Sequence, residues 1–280
     1  MRPGLLSTDA LARQLDRVRV LDASWYLPAM ARDARAEFVA GHLPGARFFD
    51  LDAASDPASD LPHMLPTAAH FERTVRALGV RDGDRIVVYD GSGANLSAAR
   101  AWWMFRAFGH EDVHVLDGGL GRWRVEGRAL ESGEPAPTAG DFVARPRDGM
   151  VVDLADLRAA LRDPSVQVVD LRSTERFEGR APEPRAGVRG GHMPGSRSLP
   201  YATLVDADGR VLDDVALRRR LAEAGVRAAA PVIATCGSGV SACALVLALH
   251  ALGQDGARVY DGSWTEWGGR DDTPVALGPA

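Results

Sequence analysis

Pro231-Val232-Ile233-Ala234-Thr235-Cys236-Gly237-Ser238-Gly239-Val240-Ser241-Ala242 is the stretch from which the rest of the chain can be read. Residues 231–235 form a short apolar run bounded by a glycine-rich turn, which predicts a buried parallel strand. Residues 240–252 carry a helical pattern. A strand that turns at once into a helix gathers the intervening backbone N–H groups around one point, at the positive end of the helix dipole. Gly237 and Gly239 supply the backbone freedom that such an anion-binding nest needs. A thiol at Cys236 would be held there as its anion, the form that attacks. Free cysteines are commonly buried and inert, and Cys243, seven residues on inside an apolar helix, reads that way. Cys236 instead ends a strand, on the edge where open α/β sheets bind ligands.

The loop length separates two chemistries. A cysteine phosphatase needs Cys-x5-Arg, with the arginine gripping phosphoryl oxygens. Here the sixth residue after Cys236 is Ala242, so that arginine is missing and the cradle suits a single sulfur. Cys236-Gly237-Ser238-Gly239-Val240-Ser241-Ala242 resembles the active-site loop of the rhodanese superfamily. Its Cys-Gly-Ser-Gly-Val form is similar to the branch that uses 3-mercaptopyruvate, whereas thiosulfate-using members typically carry Arg-Lys after the cysteine. Ser241 stands where threonine is usual and keeps the hydroxyl.

The chain has 280 residues, enough for about two domains. Its apolar share of 46 % supplies two cores without departing from ordinary soluble composition. The net charge of −5 and the lack of a basic run argue against a nucleic-acid partner. No apolar stretch reaches the length of a membrane span, so no membrane association is expected. The first residues meet arginine and aspartate too early for a signal peptide. Two cysteines only seven residues apart cannot build a disulfide framework, so a reduced, cytoplasmic setting is expected. No metal-ligand spacing, dinucleotide fingerprint or P-loop occurs, and no cofactor is implied.

An internal repeat sets the domain organisation. Val20-Leu21-Asp22 is echoed by Val169-Asp170-Leu171, and Gly41-His42-Leu43-Pro44-Gly45 by Gly191-His192-Met193-Pro194-Gly195. Asp117-Gly118-Gly119 with Trp123 is echoed by Asp261-Gly262-Ser263 with Trp267. In each half short apolar runs alternate with helical patterns, which predicts an α/β fold with a parallel sheet flanked by helices. Strands are expected at 18–21, 85–89 and 113–116, then at 166–169, 231–235 and 258–260. Helices are expected at 68–78 and 96–108, then at 154–161, 214–224 and 240–252. The resemblance implies two tandem rhodanese-like domains, 1–130 and 150–280. Residues 131–149, with three prolines and three glycines and no periodicity, are the expected linker.

The halves differ where the chemistry would be. Aligning residues 86–90 with 232–236 puts Asp90 at the position of Cys236. A carboxylate cannot carry a transferable sulfur, so the first half is expected to be inactive by itself. His42 and His192 occupy matched positions in both halves and read as turn-stabilising residues. Trp102 and Trp103 fall on an apolar helix and read as core, whereas Trp264 and Trp267 read as walls of a pocket or domain interface.

Two further stretches carry candidate site residues. Arg172-Ser173-Thr174-Glu175-Arg176-Phe177-Glu178-Gly179-Arg180 leads into Pro182-Glu183-Pro184-Arg185, at the same sheet edge as Cys236. Several arginines beside a reactive cysteine read either as a carboxylate-binding wall or as a solvated loop. The resemblance implies that Arg176 and Arg185 bind substrate and that Arg180 is a surface charge. In 48–66, it implies that Asp52 and His63 join Ser238 in a proton relay; a histidine that only fixes structure is the plainer reading of His63. The backbone of Gly237, Gly239, Val240, Ser241 and Ala242 would cradle a persulfide on Cys236. The activity so implied moves sulfur from 3-mercaptopyruvate to thioredoxin, a small thiol or cyanide, releasing pyruvate. A thiosulfate sulfurtransferase and a non-enzymatic persulfide carrier are the rival readings.

Overall fold

The computed structural model describes residues 2–136 and 139–280. The chain forms two compact units. The first holds the chain up to Ala58, then Leu65–Arg147 and Asp206–Val211; the second holds Ser59–Met64, Asp148–Val205 and Leu212–Ala280. Pro137 and Thr138, inside the expected linker, lie outside the described residues. Residues 140–147 run along the first unit. Phe142 is buried with its ring edge-on to Phe71 and Phe105, and Arg145 pairs with Asp82 at 2.8 Å.

In the first unit, β1 (Leu5–Leu6), α1 (Thr8–Ala12), β2 (Arg19–Asp22), α2 (Ala34–Ala40) and β3 (Arg47–Phe48) come first. They are followed by α3 (Ala68–Ala77), β4 (Ile86–Tyr89), α4 (Leu96–Ala107), β5 (Val113–Leu116) and α5 (Gly119–Val125). The sheet is parallel in the order β1-β5-β4-β2-β3. The second unit repeats this with β6 (Val151–Val152), α6 (Leu154–Ala160), β7 (Gln167–Asp170), α7 (Thr174–Phe177) and β8 (Arg197–Ser198). Then come α8 (Asp214–Glu223), β9 (Val232–Thr235), α9 (Ala242–Ala251), β10 (Arg258–Tyr260) and α10 (Ser263–Gly269). Its parallel order is β6-β10-β9-β7-β8, the same arrangement.

The central strands read correctly because strands covered on both faces are continuous apolar runs. All four residues of β4 and of β9 are buried. The helix starts have local causes: Ser7, Asp33, Thr67, Asp153, Ser173 and Asp213 each cap a helix by accepting from an amide three residues on. The register corrects one repeat pairing. Asp22 lies beside Tyr89 and Asp170 beside Thr235, so Asp22 matches Asp170 and the echo of 20–22 is 168–170.

Trp102 and Trp103 are buried on α4, as expected of core residues. Trp264 and Trp267 are also core and not pocket walls. Both are buried in the second unit's hydrophobic cluster, and their indole N–H groups donate to Arg189 O and Pro274 O. The paired histidines each stack on a phenylalanine and hydrogen-bond its carbonyl: His42 on Phe38 at 2.8 Å and His192 on Phe177 at 3.0 Å.

Candidate active site

β9 delivers Cys236 to the carboxyl edge of the second sheet, and the chain needs six residues, 236–241, before α9 begins. The helix therefore starts two residues later than the apolar pattern suggests, because those residues form the turn itself. Cys236 is 1 % exposed at the base of this turn. Only Gly239 takes a left-handed backbone, at φ +77. Gly237 is needed for another reason: a Cβ there would lie 3.0 Å from the Arg176 guanidinium.

The loop is tied down from below by Ser263. Its hydroxyl accepts from the amides of Cys236 at 3.2 Å and Gly239 at 3.0 Å, and donates to Tyr260 O at 2.9 Å. Ser263 holds a left-handed backbone, φ +51, which costs a non-glycine residue about 1–3 kcal/mol. The amide of Trp264 closes the arrangement on Cys236 O at 2.9 Å, and Thr265 bonds Gly237 O through both its amide and its hydroxyl. The amides of Gly237, Ser238, Val240 and Ser241 donate to no acceptor among the described residues. Unpaired donors on the turn that follows Cys236, at the N-terminus of α9, make a site for an anion. Ser263 received no role from the sequence, although the repeat marks it: its counterpart is Gly119, with the same backbone (φ +53) and no hydroxyl.

His63 reaches this loop. It belongs to the second unit through the segment Ser59–Met64, is 5 % exposed, and adopts φ +60. Its Nδ1 lies 3.0 Å from Ser238 Oγ. Asp52 belongs to the first unit, where it accepts from Trp25 Nε1 at 3.1 Å.

The arginine loop is an ordered chain of charges. Arg172 is fully buried, grips Asp170 through Nε and Nη2 at 2.6–3.1 Å, and lies over the Trp264 ring at 4.2 Å. Its Nη1 meets Glu183 Oε1 at 2.8 Å. The Glu183 carboxylate, 4 % exposed, then holds Arg176 Nη2 at 2.5 Å and Nε at 3.2 Å. Arg185 follows Glu183 by two residues and is partly buried. Arg180 is exposed and paired with Glu178, in keeping with a surface charge.

The first unit shows what the same loop does without a cysteine. The Asp90 carboxylate accepts from Ser92 N at 2.9 Å, Ser92 Oγ at 2.6 Å and Ala98 N at 2.9 Å, so the side chain occupies its own nest. Asn95 donates to Gly209 O at 2.9 Å, and a Cβ on Gly209 would lie 2.4 Å from Gly93 O. This loop has become a packing surface for 206–211. Where the second unit has Arg172 the first has Ser24, and burial there raises the Asp22 carboxyl to about 6. Among the described residues no cluster of potential metal ligands is found, and no helix is long and apolar enough to cross a membrane.

Comparison with known proteins agrees with this geometry. The rhodanese-like domain matches twice, at residues 7–126 and 153–270. Human 3-mercaptopyruvate sulfurtransferase is 43 % identical over 251 residues, covering 89 % of this chain and 84 % of the human protein. The mitochondrial thiosulfate/3-mercaptopyruvate sulfurtransferase 1 of Arabidopsis thaliana is 42 % identical over 279 residues, covering 92 % of this chain and 73 % of that protein. The crystal structure of Escherichia coli SseA, a 3-mercaptopyruvate sulfotransferase, superposes with a TM-score of 0.86 at 37 % identity, covering 94 % of this chain and 99 % of that one. With matched domains in both halves and full-length relatives well above 30 % identity, the chain belongs to the rhodanese family and carries two rhodanese-like domains.

Proposed function

We propose that the protein is a 3-mercaptopyruvate sulfurtransferase working through a persulfide on Cys236. The observation that carries this reading is the make-up of the loop: the residues from Gly237 to Ala242 carry no cation, and Arg176 stands on a separate loop, held by Glu183. Thiosulfate is a compact dianion and asks for charge beside the sulfur. Mercaptopyruvate carries its carboxylate several bonds away, where Arg176 and Arg185 would hold it.

In the first half-reaction the Cys236 thiolate attacks the substrate sulfur and forms the S–S bond. The substrate C–S bond breaks, and its electron pair leaves as the enolate of pyruvate, which takes up a proton. Ser238, hydrogen-bonded to His63, would handle that proton, and the family resemblance adds Asp52 to the pair. The unpaired amides of the loop cradle the persulfide anion. In the second half-reaction an acceptor thiol, from a small molecule or a thioredoxin-like protein, attacks the outer sulfur and returns Cys236 as thiolate. A reducing compartment such as the cytoplasm suits such an enzyme. The Arabidopsis relative, named for both donors, keeps thiosulfate as a second reading.

The test compares pyruvate released from 3-mercaptopyruvate with sulfite released from thiosulfate, using dithiothreitol as acceptor. Mercaptopyruvate is expected to be at least tenfold the better donor by kcat/KM. Mass spectrometry should place the added sulfur on Cys236 and leave Cys243 unmodified. Sulfur on Cys243, or faster sulfite than pyruvate release, would sink the reading.

A further inference from the structure

A guanidinium has two edges that can grip a carboxylate in parallel, Nε with Nη2 and Nη1 with Nη2. In Arg176 the first edge is taken, since Glu183 receives both Nε and Nη2. The second edge faces the loop: Nη2 lies 3.0 Å and Nη1 3.8 Å from the Cβ position of Gly237, and Nη1 donates to no acceptor among the described residues. The geometry points to Glu183 as a positioning residue that fixes which edge of Arg176 faces the catalytic loop.

Three observations support this assignment. Glu183 is almost entirely out of solvent, so its carboxylate is not a free surface charge. It is itself anchored, because its Oε1 also binds the fully buried Arg172. Arg172 in turn is fixed by Asp170 at the end of β7, by Gly191 O at 2.7 Å and by the Trp264 ring, next to the residue that ties the cysteine loop. Position therefore passes from the sheet through two buried charges to a side chain that remains 21 % exposed. A long, flexible arginine is by this means held ready before substrate arrives, which lowers the ordering cost of binding. The four groups also cancel in charge, so the chain orients Arg176 without adding a net field.

This inference rests on the reading of Arg176 as the holder of the substrate carboxylate, and the experiment separates the two. Glu183→Asp keeps a charge for Arg172 and is the variant expected to fold; it withdraws the carboxylate from Arg176. Glu183→Gln keeps the length and turns one donor group against a guanidinium. Both should raise KM for 3-mercaptopyruvate at least tenfold and leave kcat within threefold. Cys236 loaded with sulfur from inorganic polysulfide should still discharge to dithiothreitol within twofold of the wild-type rate. A merely structural role would slow discharge as well, and that result overturns the proposal. KM within twofold of wild type for Glu183→Asp, with Arg176→Ala raising it tenfold, also overturns it while leaving the proposed function intact. A wild-type protein that releases no pyruvate from mercaptopyruvate removes both. If Glu183→Gln does not fold, Glu183→Asp decides alone.

Discussion

His63 and Ser238 are 175 positions apart in the chain yet meet at 3.0 Å. His63 reaches that contact in a left-handed backbone that a non-glycine residue adopts only at a cost of about 1–3 kcal/mol. Such strain persists where the surroundings over-determine it, as at a site that needs the side chain in one place. His63→Ala should therefore lower kcat by about 10²–10⁴-fold, the usual worth of a positioned acid–base group. Its melting temperature should change little, because the backbone strain is common to both proteins. Unchanged turnover would leave His63 as a fixing contact for the loop. Cys236 was legible in the sequence because its strand–turn–helix motif is local, whereas Arg176, Arg185, Asp52 and His63 were named only through the family resemblance. What was not legible is that Glu183 belongs with them: it stands between two prolines and reads as a loop carboxylate, and only the fold shows it buried between two arginines.

At the scale of elements, the turn from β9 into α9 depends on α10, whose first residue supplies the hydroxyl beneath it. Ser263→Gly reproduces the first unit's Gly119 and releases the left-handed strain. It also leaves two buried amides without an acceptor, a loss of roughly 1–3 kcal/mol each. The expected outcome is a lower melting temperature and a kcat/KM reduced at least tenfold, read by calorimetry and by pyruvate release. Equal stability with equal activity would mean that the loop holds itself. The sequence showed the three central strands of each sheet because residues such as Val87, Val88, Ile233 and Ala234 are covered on both faces. It hid β1, β3, β6 and β8, which are two residues long and too short for any periodicity. Ser263 stood in plain view as the one Ser-for-Gly difference in a repeated motif. Its meaning depends on a hydrogen-bond partner 27 residues away.

At the scale of the whole molecule, one buried carboxyl makes stability depend on pH. Asp170 is buried against Arg172, whereas its counterpart Asp22 is buried beside Ser24 with its carboxyl raised to about 6 from an ordinary 3.8. A carboxyl raised in the folded state stabilises the protein fully below the ordinary value, and that contribution is lost as pH climbs through about 6. At about 1.4 kcal/mol for each pH unit, the loss approaches about 3 kcal/mol by neutral pH. Asp22→Asn cannot ionise, so its melting temperature relative to wild type should rise between pH 4.5 and pH 7.5. A difference that stays flat across that range would show that Asp22 remains charged when buried.

The six-residue segments Ser59–Met64 and Asp206–Val211 are each encoded in one half of the chain and folded into the other half's unit. One of them delivers His63 to the cysteine loop, and the other lies against the loop that lost its cysteine. A duplicated gene ordinarily keeps the option of shedding a copy. Here that option has closed, since deleting either copy would orphan a piece of the survivor. The duplication works as an evolutionary ratchet, and any attempt to transplant the catalytic half onto another scaffold must carry along a borrowed fragment from before the repeat boundary.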